Sequence, residues 1–135
     1  MPVRVRFEVR AAVSSSTNEE KDLGNKRWEA MTDSLGEGGA FKTLVPAGAT
    51  DLEVTLRDVA DGAMLVVATN SRDPNQDPVE LDLKLNSALA PATEIHPLPG
   101  TKVGLYMVTT TGITAIYLSN GGTVDMEATI VVAGD

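Results

Sequence analysis

Residues 79–85 read Val79-Glu80-Leu81-Asp82-Leu83-Lys84-Leu85, "VELDLKL", with an apolar side chain at every second position and a charge at each position between. Successive side chains of a strand point to opposite faces. A strict period of two therefore predicts a β-strand with one face in a core and the other in water.

The same signal extends in both directions. Upstream, Leu52, Val54 and Leu56 alternate with Glu53, Thr55 and Arg57, Phe41 to Val45 leads into the turn "PAGATD", and Ala63 to Ala68 is a short apolar run after "VADG". Downstream, Thr93 to His96, Val103 to Thr109, Ile113 to Leu118 and Val124 to Val132 are extended candidates. They are separated by "NSALAPA", "HPLPGTK" and the "NGG" of Asn120 to Gly122, the last suited to a tight hairpin with positive φ. About eight or nine short strands, spaced by glycine- and proline-bearing turns, predict an all-β fold, an antiparallel β-sandwich or jelly-roll-like body over residues 41–135. No glycine-rich strand-to-helix turn suggests a nucleotide-binding α/β fold. Aromatic residues make up only 4% of the chain, so the core must rest on Val, Leu, Ile, Met and Ala.

Residues 1–40 read differently. Val3, Val5, Phe7 and Val9 alternate with Arg4, Arg6, Glu8 and Arg10, which predicts a half-buried N-terminal strand. A polar connecting arm follows over residues 14–40, with Thr17-x-x-Glu20 resembling a capping box. Trp28, Met31 and Leu35 fall at helical spacing and Gly36 would close the turn, predicting one short amphipathic helix in the arm.

Charge divides the chain in the same place. The net charge is -8, yet residues 1–42 hold seven Lys/Arg against seven Asp/Glu, so the body carries the whole deficit. An acidic body is repelled by phosphate backbones, and nucleic acid is not an expected partner. No run of about 18 apolar residues predicts a membrane span. The alternating charges at the N-terminus do not build a signal peptide, and the chain reads as soluble and unprocessed. Without cysteine there is neither a disulfide framework nor a thiol nucleophile.

The chemistry-bearing candidates are sparse. Asp73, Asn75 and Asp77 have the D-x-N-x-D spacing that begins a calcium loop, but Pro78 stands where the sharp-turn glycine belongs and Lys84 where the bidentate glutamate belongs. A polar turn accounts for the same residues. His96 is the only histidine and has no G-x-S-x-G elbow to serve, so a hydrolase built on it is a remote reading. Glu80 and Asp82 alternate on one strand face, and without an apolar pocket to raise one pKa they read as a solvated face. Tyr106 and Tyr117 fall in strands. No catalytic residue, metal or cofactor is expected, and the chain reads as no enzyme.

The arginines carry the sharpest clue. Arg4, Arg6 and Arg10 beside an acidic body are either ordinary solvated surface or part of an interchain contact with a copy of that body. Exposed ion pairs contribute about 0 to 1 kcal/mol each, against about 1.5 to 3 kcal/mol for fully burying a side chain such as Val3, Val5, Phe7 or Val9. In the interchain reading the apolar face holds the strand and the arginines select partner and register. Trp28, Met31 and Leu35 join them as candidate interface residues, a lone tryptophan in a polar arm being most simply a docking anchor.

"FKTLVPAGATDLEVTL" at residues 41–56 and "GLYMVTTTGITAIYLSNGGTVDMEATIVVAGD" at residues 104–135 resemble the small β-rich structural proteins of tailed-bacteriophage virions. The resemblance implies a non-enzymatic virion protein, foremost a capsid decoration or cement protein. Such proteins are often trimeric, contacting copies of themselves and the major capsid protein or another virion protein. A tail or head-to-tail connector part, and a glycan-binding host-attachment module, are the alternatives.

Overall fold

The computed structural model describes the backbone of residues 3–15, 21–35, 37–98 and 102–135, with side chains from residue 38 onward within those ranges. Among the described residues the chain is all β. A two-stranded sheet of β1 (Val3–Ser15) and β2 (Lys21–Leu35) precedes a body of eight strands: β3 (Glu37–Val45), β4 (Leu52–Thr55), β5 (Gly62–Ser71), β6 (Leu81–Leu85), β7 (Thr93–Ile95), β8 (Gly104–Ile113), β9 (Ala115–Ser119) and β10 (Met126–Gly134). The body forms two antiparallel sheets, ordered β3-β10-β5-β8 and β4-β9-β6-β7.

Both sheets turn their apolar residues into one core. In β6, Leu81 and Leu83 are buried while Glu80 just before the strand is exposed, as the period of two requires. Met126, Ala128, Ile130 and Val132 of β10 repeat the pattern, and Val45, Leu65, Val67, Ile95, Ile113, Ile116 and Leu118 complete the centre. The interior is aliphatic, with Phe41 and Tyr106 half-buried against its rim.

Consecutive body strands mostly sit in opposite sheets, and only β6 and β7 pair with their sequence neighbour. This overturns the expectation of a tight hairpin at Asn120 to Gly122, because β9 and β10 belong to different sheets and the connection has to cross between layers. Positive φ among the described glycines falls instead at Gly48 (80°) and Gly112 (75°). Asn120 organises the crossing from inside. Its Nδ2 donates to the carbonyls of Val45 (3.0 Å) and Val124 (2.8 Å), and its Oδ1 accepts from the Gly122 amide at 3.0 Å. Asn86, at φ 68°, serves the other end, donating to the Gly112 carbonyl and accepting from the Thr114 amide.

The arm also differs from the sequence reading. Lys21–Leu35 is a strand, so the helix expected around Trp28, Met31 and Leu35 is absent. The antiparallel register sets Val9 opposite Trp28, Arg6 opposite Met31 and Val3 opposite Leu35. A helix this short is marginal on its own, since about 12 to 15 residues are needed even with good formers, whereas the ladder with β1 satisfies backbone groups along the whole segment. The capping-box residues Thr17 and Glu20 lie outside the described residues.

Candidate functional site

The expected interface residues all fall on the N-terminal hairpin. Val3, Arg4, Val5, Arg6, Phe7, Val9 and Arg10 occupy β1, and Trp28, Met31 and Leu35 occupy β2. Pairing brings the two groups together, with Phe7 opposite Ala30 and Arg10 opposite Arg27 in addition to the pairs above. The hairpin belongs to neither body sheet, and its second strand ends at Leu35, just before β3 begins at Glu37. Side chains of the hairpin lie outside the described residues.

On the body, an apolar lane crosses the outer face of the β3-β10-β5-β8 sheet. Register places Ala40 beside Val131, Val131 beside Val66, and Val66 beside Met107. Ala68 and Leu105 form the adjacent pair, and Leu105 is 62% and Met107 41% exposed on the edge strand β8. The composition gives no warning of this lane, because each strand contributes only one or two of its residues. Along the opposite edge, where β3 and β4 border the open side of the layers, Arg57 stacks its guanidinium 4.6 Å from the centroid of the Phe41 ring.

The polar candidates sort into a turn and a cluster. In the loop after β5, Asp73 Oδ1 accepts from the Asn75 amide at 2.9 Å and the Asp73 carbonyl accepts from the Gln76 amide at 3.0 Å, the hydrogen bonds of a polar turn. His96 is flanked on both sides: Nδ1 lies 3.0 Å from Glu80 Oε2 and Nε2 lies 3.0 Å from Glu94 Oε2. The β6–β7 register explains the meeting, since Leu81 faces Ile95 and Asp82 faces Glu94, which brings Glu80 beside His96 on the outer face. Sequence reasoning singled out Glu80 with Asp82 as a carboxylate pair and His96 on its own, and missed Glu94. The available signal was the spacing Glu94-x-His96, which puts both on one face of any strand.

Of the tyrosines, Tyr106 lies in β8 and Tyr117 in β9, both half-buried. Burial pushes the Tyr106 phenol above its ordinary range. Neither the protein-family models nor the curated proteins searched contain a match to this chain.

Proposed function

We propose that the chain is a non-enzymatic structural protein of a tailed-phage virion, a decoration or cement protein whose N-terminal hairpin engages a neighbouring subunit. The observation that carries this reading is the separation of β1 and β2 from both body sheets. A two-stranded hairpin is at best marginally stable in water by itself, so strands of 13 and 15 residues call for a surface to lie on. The body's sheet order supports a jelly roll, with eight strands divided four and four between two sheets and consecutive strands in opposite sheets except β6 and β7, an architecture that recurs in viral shells and in lectins. The apolar lane ending at Leu105 and Met107 gives such a body a face to set against a shell. Covering junctions with many copies, each tied to the next by an arm, makes disruption of the shell depend on breaking these contacts as well.

Removing residues 1–35 tests the reading. The shortened chain should keep a cooperative melt and behave as a monomer by native mass, while the full chain assembles and binds phage capsids in a sedimentation assay. A full chain that is monomeric and ignores capsids would refute it, whereas attachment to tails or connectors only would place the protein elsewhere on the particle.

A further inference from the structure

We infer that Glu80, Glu94 and His96 form a binding site for a divalent cation of the zinc class on the outer face of the β4-β9-β6-β7 sheet. One ligand atom from each residue falls within 4.8 Å of the other two. Tetrahedral zinc with bonds of about 2.0 to 2.2 Å to nitrogen and oxygen places its ligands roughly 3.4 Å apart, so side-chain rotations of exposed residues close the difference.

The electrostatics ask for a cation there. A neutral imidazole has one N–H and one lone pair, yet a carboxylate oxygen stands 3.0 Å from each ring nitrogen of His96. One of the two contacts then sets a lone pair against an anion unless a positive charge lies between them. A second proton or a metal ion supplies it. A third carboxylate deepens the negative charge of this face. Asp82 sits opposite Glu94 on the same face, and its Oδ1 is buried without a hydrogen-bond partner among the described residues. The nitrogen donor selects zinc, nickel or copper over calcium and magnesium, which prefer all-oxygen shells.

The test is calorimetric titration of the full chain, first stripped with EDTA, with zinc chloride, and in parallel with calcium and magnesium chloride. Saturable uptake of one zinc per chain is expected, with neither calcium nor magnesium competing. His96→Ala should reduce affinity by more than the roughly 10- to 100-fold that loss of an outer-shell partner costs, and Glu94→Gln should weaken it too. Because these side chains are exposed, both variants should melt like the parent, which separates a lost ligand from a lost fold. Nitrogen-15 spectra of the imidazole give an independent readout, with one ring nitrogen shifting on zinc addition. Absence of saturable zinc uptake, uptake unchanged by His96→Ala, or an imidazole that carries two protons and ignores zinc would each overturn the site. None of these outcomes depends on the virion reading.

Discussion

Two buried polar residues show how differently the same burial is resolved. Asn120 is fully enclosed and spends both of its amide donors and its oxygen on backbone groups that shape the crossing from β9 to β10. Asn120→Ala would strand the Val45 and Val124 carbonyls, and a loss of about 2 to 3 kcal/mol is expected from the shift in urea midpoint. Thr69 is equally enclosed, but its Oγ1 has no hydrogen-bond partner among the described residues. Thr69→Val replaces that hydroxyl with a methyl of similar shape, and should raise stability by about 1 kcal/mol in the same measurement. A fall in midpoint would mean that the hydroxyl is satisfied by bound water. Residue-scale roles like these were hidden in the sequence, where Asn120 reads only as part of a tight "NGG" turn and Thr69 carries no signal of its own.

At the scale of elements, legibility followed periodicity. "VELDLKL" announces β6 because its period of two is strict, and β4 was readable for the same reason. β2 was not. Lys21–Leu35 has no alternation, and Trp28, Met31 and Leu35 imitate a helical stripe until a long partner strand overrides the local preference. The His96 cluster escaped for a related reason: Glu80 and Glu94 meet only through the pairing of β6 with β7, which no local pattern records. The edge strand β8 makes a prediction at this scale. Leu105→Asp places a charge on an exposed position of the apolar lane, so the melting temperature should move little while sedimentation with capsids is lost. Unchanged capsid binding would remove the lane from the contact.

For the whole molecule, the division of charge between a neutral N-terminal segment and an acidic body sets the expected response to salt. Screening reaches about 10 Å at 0.1 M, and exposed pairs contribute about 1 kcal/mol or less each, so assembly should weaken modestly as salt rises. Analytical ultracentrifugation over a salt series checks this, and complete dissociation at moderate ionic strength would show that charge, not apolar contact, holds the copies together. The uneven distribution of charge was legible in the sequence, since it needs only a count of residues along the chain. The sheet order was not, because it is decided by pairings between distant parts of the chain. Those pairings set a timetable for biosynthesis. β3 is flanked in its sheet by β10 alone, so after residues 37–45 leave the ribosome they wait for residues 126–134 before they find a neighbour. During translation the nascent body can close only part of its layers, and a polypeptide stalled before residue 126 should remain sensitive to protease.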